Sequence, residues 1–171
     1  MDYHPMRLLV LDVDGTLTDG GIYMGPDGEV CKRFSARDGL GLKLLQTAGV
    51  ELAILTGRRS RIVENRAAEL GITRVVQGVA DKPAALRALA EEAGVPLAET
   101  GYMGDDLNDL AAMSLCGVRA CPADAAPEVR AICQFVSDLP GGQGAVRQFC
   151  EVWLRAAGRW ERVSPRPVTA Q

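Results

Sequence analysis

The sequence predicts an α/β protein built on a doubly wound parallel sheet, and three observations carry that reading. Short apolar runs recur along the chain, stretches with helical apolar spacing separate them, and Gly, Pro, Asp or Ser stands at most of the junctions. Strands buried on both faces read as continuous apolar runs, as in Leu8-Leu9-Val10-Leu11 and Leu52-Ala53-Ile54-Leu55. Such a Rossmann-like sheet places ligands beyond the carboxyl ends of its strands, near a switch in strand order.

The first strand, from Arg7, runs straight into Asp12-Val13-Asp14-Gly15. Two carboxylates presented together at a strand end are costly without a cation or a chemical task. Two β-prone runs between Gly20 and Phe34 then flank Gly25-Pro26-Asp27-Gly28, which is hairpin turn chemistry. A two-stranded hairpin is not stable alone in water, so it is expected to pack on the body or on another subunit.

Ser35 can cap a helix to Ala48, closed by Gly49, and Val50 to Leu55 is a second strand ending at Thr56-Gly57-Arg58. Ser60 opens a helix to Leu70, Thr73 to Gln77 is strand-like, and Asp81-Lys82-Pro83 starts a helix to Ala93. Gly101 to Met103 is a strand, residues 104–109 form a loop into a helix ending at Met113, and Gly117 to Ala120 is another strand. Pro127 to Cys133 is helical and Phe135-Val136 an edge strand. Ala145 to Ala157 is a final helix, marked by Val146, Phe149, Val152, Trp153 and Ala156. Residues 1–158 are thus expected to be one domain and 159–171, with two prolines and little periodicity, a flexible tail.

Composition narrows the chemistry. The chain has 171 residues, 47% hydrophobic and 24% charged, enough for one core without metal or disulfide staples. Nineteen basic against 22 acidic residues give a net charge of -3, so no general attraction to nucleic acid or to an anionic membrane surface is expected. No apolar run approaches the roughly 20 residues that span a bilayer, and Met1 to Met6 lack a leader pattern, so a cytoplasmic protein is expected. Five widely spaced cysteines without a Cys-x-x-Cys pair suit reduced thiols. The single histidine, His4, offers little for Ser-His or Cys-His catalysis.

Asp12, Asp14 and Asp105 are hard oxygen donors suited to Mg²⁺, which binds through a few carboxylates plus substrate phosphate oxygens. Thr56 supplies a hydroxyl and Lys82 a fixed cation, and with them the set can cradle one phosphate. A carboxylate nucleophile, a second carboxylic acid and a cation form a phosphoryl-transfer apparatus that needs no histidine. Each piece has a plain structural reading as well. Asp14-Gly15 can be a turn, Thr56-Gly57 a helix start, Asp105-Asp106 a capping loop and Lys82 a surface lysine. Four clusters at the same edge of one sheet make that coincidence a poor explanation.

Asp12-Val13-Asp14-Gly15-Thr16, Leu55-Thr56-Gly57-Arg58, Lys82 and Gly104-Asp105-Asp106-x-Asn108-Asp109 resemble the four ordered motifs of the haloacid dehalogenase superfamily of phosphatases. Asp19 to Met24, Arg37-Asp38-Gly39, Leu70 to Thr73, Gln77-Gly78 and the stretch Gly141 to Arg147 are similar to its branch that acts on sugar acid phosphates, from about Arg7 to Ala157. The resemblance implies that Asp12 is the nucleophile forming an aspartyl-phosphate and that Asp14 is the general acid and then base. It implies that Mg²⁺ is held by Asp12, the Asp14 backbone carbonyl and Asp105. Thr56, Gly57, Lys82 and Asn108 would bind phosphate, with Asp106 and Asp109 in support.

It further implies a homotetramer without a large cap domain, in which hairpins assemble and a neighbour helps close the site. Arg58 and Arg66 are the expected readers of the sugar carboxylate, since guanidinium forks match it. Their plain alternative is a solvated helix face balanced by Glu64 and Glu69. Arg58 directly after Thr56-Gly57 favours an eight-carbon over a nine-carbon sugar acid, and Gln143 departs from the Arg of some relatives. A phosphatase for another metabolite, or a non-catalytic assembly domain, is the alternative function.

Overall fold

A computed structural model describes residues 4–164. Six parallel strands form the main sheet: β1 Leu8–Leu11, β4 Glu51–Thr56, β5 Arg74–Gln77, β6 Thr100–Met103, β7 Val118–Cys121 and β8 Phe135–Val136. β2 Tyr23–Gly25 and β3 Gly28–Cys31 form the separate antiparallel hairpin. The helices are α1 Ala36–Thr47, α2 Arg61–Leu70, α3 Lys82–Glu92, α4 Leu110–Met113, α5 Pro127–Ile132, α6 Ala145–Ala156 and α7 Trp160–Val163.

The strand order is β5-β4-β1-β6-β7-β8. The chain builds outward from β1 to β5, then returns to β6 on β1's other side and builds outward again. The reversal sets a crevice at the carboxyl ends of β1, β4 and β6, where a doubly wound sheet is expected to hold its ligand.

Side-chain alternation divides the core. Leu8 and Val10 pack with Leu86, Leu89 and Tyr102 on one face, while Leu9 and Leu11 pack with Leu42, Leu45, Phe149 and Trp153 on the other. Both sheet faces are therefore covered, and all four residues of β1 are buried.

α1 and α6 approach closely because Gly41 carries no side chain; a Cβ there would lie 3.0 Å from the Arg147 Cα. α6 begins at Gly144, which has no capping side chain, so Asp38 of α1 accepts from the amides of Gly144 at 3.2 Å and Arg147 at 2.8 Å.

One sequence expectation is corrected here. Residues 159–164 are not a loose tail: Trp160 and Val163 pack on the core, the Arg155 guanidinium lies 4.2 Å from the Trp160 ring centroid, and Arg159 donates to the Ala48 carbonyl at 3.0 Å. The apolar pair at i, i+3 lies on one side of a helical turn, and this local spacing outweighs the prolines that follow. The rest of the expected tail, 165–171, lies outside the described residues. Among the described residues all five cysteines are free thiols, and no helix is long and apolar enough to cross a membrane.

Candidate active site

Asp12 is the first residue after β1, and its amide extends the ladder by donating to the Met103 carbonyl at 3.0 Å. The chain then folds tightly, the amides of Thr16, Leu17 and Thr18 all donating to the Val13 carbonyl. Gly15 sits in this turn at φ +94°, where a Cβ would also lie 2.0 Å from Asp105 Oδ2. Glycine is thus required for both backbone shape and the approach of Asp105. Asp105 follows β6, and the Thr16 hydroxyl donates to its Oδ1 at 2.8 Å.

Thr56 ends β4, and its carbonyl accepts from the Val79 amide at 3.2 Å. Asp81 caps α3 by accepting from the Ala84 amide at 3.0 Å, and Pro83 favours that helix start. Lys82 is thereby turned inward: Nζ donates to Asp12 Oδ1 at 2.9 Å and to Asp109 Oδ1 at 2.6 Å, and its side chain is 3% exposed.

Asp12, Asp14, Thr56, Gly57, Arg58, Asp105, Asp106 and Asn108 line one cleft of about 270 Å³. The structure thus brings together these expected residues, with Lys82 beneath them. Arg58 stands at the cleft rim, Nε 3.7 Å from Asp14 Oδ2 with a side chain 60% exposed. An exposed pair contributes little stability, which leaves the guanidinium available to a ligand.

Arg66 is the exception. Its guanidinium donates to Glu69 Oε2 at 2.8 Å and to the Ser35 carbonyl at 3.1 Å, and lies 5.5 Å from the Phe34 ring centroid. α2 follows β4 and runs back from the carboxyl edge, so a residue in its middle is carried away from the cleft. Arg66 instead ties α2 to the start of α1.

Asp109 has every acceptor direction occupied. Lys82 and the Tyr102 hydroxyl donate to Oδ1, the latter at 2.7 Å, and the amides of Asp105 and Asp106 donate to Oδ2 at 3.2 and 3.4 Å. Oxygens of Asp12, Asp105 and Asp109 lie within 4.8 Å of one another, a hard donor set that fits a divalent cation. Since Asp109 is fully committed, Asp12 and Asp105 are the side chains free to hold such an ion.

Burial, followed by repulsion from Asp109 and offset by Lys82, raises the Asp12 pKa to about 6. Burial raises that of Asp105 to about 7, with the Thr16 hydroxyl opposing and Asp12 and Asp109 reinforcing the rise. Both folded values lie above the ordinary 3.8, so the stability these groups contribute is complete below that value and is lost as pH climbs through 6 and 7. In chelator, the urea midpoint of the metal-free protein is therefore expected to fall between about pH 4 and 7 and to level off above that. Asp105→Asn should flatten that fall; an unchanged slope would contradict the coupling.

Several contributors escape sequence reading. Lys32 of the hairpin forms ion pairs with Asp14 and, at 2.7 Å, with Glu29; its side chain is 1% exposed. Glu29 in turn accepts from the Ser60 hydroxyl. Nothing in the β-prone run around Lys32 separates it from a solvated lysine. Tyr102 did leave a signal, because a tyrosine inside a buried strand needs a partner for its hydroxyl.

Residues 29–117 match the family model of haloacid dehalogenase-like hydrolases. The chain is 41% identical over 163 residues to the 3-deoxy-D-manno-octulosonate 8-phosphate (KDO 8-phosphate) phosphatase KdsC of Escherichia coli strain K12, covering 95% of this chain and 87% of that one. The cobalt-bound KDO 8-phosphate phosphatase of Haemophilus influenzae superposes with TM-score 0.87 at 40% identity, over 90% of each chain. The enzyme of Moraxella catarrhalis, solved with magnesium, phosphate and KDO, superposes with TM-score 0.88 at 40% identity, over 92% of this chain and 90% of that one. Fold and cleft together define a haloacid dehalogenase-like hydrolase, and the chain belongs to that family. Within it, the chain is similar over nearly its whole length to KDO 8-phosphate phosphatases.

Proposed function

We propose that this protein hydrolyses KDO 8-phosphate to KDO and phosphate, supplying KDO for lipopolysaccharide synthesis. The observation that carries the reading is the convergence of Asp12, Asp14, Thr56, Lys82 and Asp105 on one edge of the sheet, in a chain alike over nearly all its length to enzymes of that name.

In this reading an Asp12 oxygen attacks phosphorus while the bond to the sugar oxygen breaks. The departing oxygen takes its electron pair and a proton from Asp14. Water then attacks the aspartyl-phosphate, Asp14 receives the water proton, and the Asp12 carboxylate is restored. The Thr56 hydroxyl, the Gly57 backbone and Asn108 hold the phosphoryl oxygens, and Lys82 offsets their charge while fixing the nucleophile's oxygen. Asp12, the Asp14 carbonyl and Asp105 would hold Mg²⁺, which when bound would further neutralise the phosphate. Arg58, at the rim, meets the sugar carboxylate; Arg66 has no part in this reading, being engaged with Glu69 and Ser35.

We also infer a cytoplasmic homotetramer. Its support is the likeness to the sugar acid phosphatases and a hairpin that exposes Tyr23, Met24 and Val30, apolar surface that assembly would cover.

The test is phosphate release from KDO 8-phosphate, nine-carbon sugar acid 9-phosphates and simple sugar phosphates. The eight-carbon compound is expected to have the highest kcat/KM, with turnover abolished by chelator and restored by Mg²⁺. Preference for a nine-carbon compound would reassign the substrate, and no turnover of any would leave an assembly role.

A further inference from the structure

The hairpin's inward edge carries a polar chain that the mechanism above does not use. Lys32 Nζ is shared between an oxygen of Asp14 and Oε1 of Glu29; Oε2 of Glu29 accepts from the Ser60 hydroxyl, and the Ser60 amide donates to Gln77 Oε1 at 2.9 Å. Ser60 is the N-cap of α2, its hydroxyl accepting from the Ile62 amide at 3.2 Å, and it stands just beyond Thr56, Gly57 and Arg58. The chain of contacts thus runs from Asp14 through two hairpin residues to the loop at the end of β4.

Two features make this more than a surface ion pair. The ammonium is screened from water, its side chain only 1% exposed, so its geometry is fixed by its two carboxylate partners. The partners are also of unequal kind: Glu29 lies three residues away on the same hairpin, whereas Asp14 is eighteen residues earlier, in the turn after β1. Glu29 and Ser60 hold the lysine, and the lysine holds Asp14. Among the described residues the Asp14 side chain otherwise has only the exposed Arg58 as an ion-pair neighbour, at 3.7 Å.

We infer that Lys32, seated by Glu29 and Ser60, is a positioning residue that fixes the Asp14 carboxyl for proton transfer; this rests on the reading of Asp14 as the proton carrier. Lys32 does not reach the substrate itself, since its ammonium is buried between carboxylates. Docking of the hairpin and readiness of the acid are therefore one event. A carboxyl group freed to rotate meets the leaving oxygen less often, and misplacement by about 1 Å can cost roughly 100-fold in rate.

The experiment compares Lys32→Met, Lys32→Arg, Asp14→Asn and the Asp14→Asn, Lys32→Met double variant, with unfolding midpoints to verify folding. Two substrates separate positioning from a general structural effect. KDO 8-phosphate expels an alkoxide that needs a proton, whereas p-nitrophenyl phosphate expels a phenolate that does not.

Lys32→Met is expected to lower kcat on KDO 8-phosphate by about 10- to 100-fold with KM within about threefold, while the pre-steady-state burst of p-nitrophenolate stays within about threefold. Lys32→Arg should recover part of the loss, and the double variant should match Asp14→Asn within about threefold. If Lys32→Met does not fold, Glu29→Gln, which loosens the lysine without removing it, should show the same substrate-dependent loss at smaller size. Equal losses on both substrates, a change in KM alone, or multiplied losses in the double variant would overturn the inference. Unchanged turnover in Asp14→Asn would instead remove the reading of Asp14 itself.

Discussion

Asp12→Asn is expected to lower turnover of KDO 8-phosphate by roughly 10⁴-fold while leaving the fold intact. The amide matches the carboxylate in size but is a far weaker nucleophile, so no aspartyl-phosphate should accumulate. Mass spectrometry of acid-quenched enzyme should find phosphorylated Asp12 in the wild type and none in the variant. The substitution also removes one negative charge from a buried acidic set. The folded state raises the Asp12 pKa to about 6, so its ionisation at neutral pH costs the metal-free fold stability. The metal-free variant should therefore be at least as stable as the wild type near pH 7, and it should gain less in unfolding midpoint when Mg²⁺ is added, having lost a ligand. Retained turnover, or a phosphorylated intermediate formed elsewhere, would end the covalent reading.

How far the site could be read from the sequence depends on the range over which each residue is determined. β1 and β4 announce themselves because strands covered on both faces must be continuously apolar, and the polar residues that end them fall at the ligand edge as a consequence of the winding. Asp12, Thr56 and Asp105 were legible for that reason, and Lys82 because a capped, proline-started helix fixes where its first turn points.

Arg66 lies outside the cleft lining because its proximity to Thr56 along the chain says nothing about the direction in which α2 travels. Lys32 was invisible for a different reason. Its partner Asp14 is brought to it only by the hairpin folding back over the turn after β1, a contact between two segments with no shared periodicity. The helical turn at Trp160–Val163 was masked by Pro165 and Pro167, which dominate a local reading although they lie beyond it.

Lys82→Met tests the site's other half, and its effects should be large on two separate scales. The ammonium donates to Asp12 at 2.9 Å and Asp109 at 2.6 Å, and burial, which works against its charge, is outweighed by those two carboxylates, so its pKa lies above the ordinary lysine value. Methionine keeps the length and removes the charge. The nucleophile then loses a hydrogen-bond donor and the phosphoryl group a fixed cation, which should lower kcat by about 10²–10³-fold, a loss comparable to that of one oxyanion donor.

The same change strands two carboxylates that are 8% and 0% exposed, and breaking one side of such a buried pair costs about 3–5 kcal/mol. The sign with pH follows from the charges. Without the cation Asp12 binds its proton still more readily, so the gap between variant and wild type should be widest near pH 8 and narrow toward pH 5, where protonation of Asp12 relieves the repulsion. Urea unfolding in chelator at both pH values measures that gap. A gap independent of pH would mean that methionine disturbs packing rather than charge, and retained kcat would remove Lys82 from the phosphoryl-transfer apparatus.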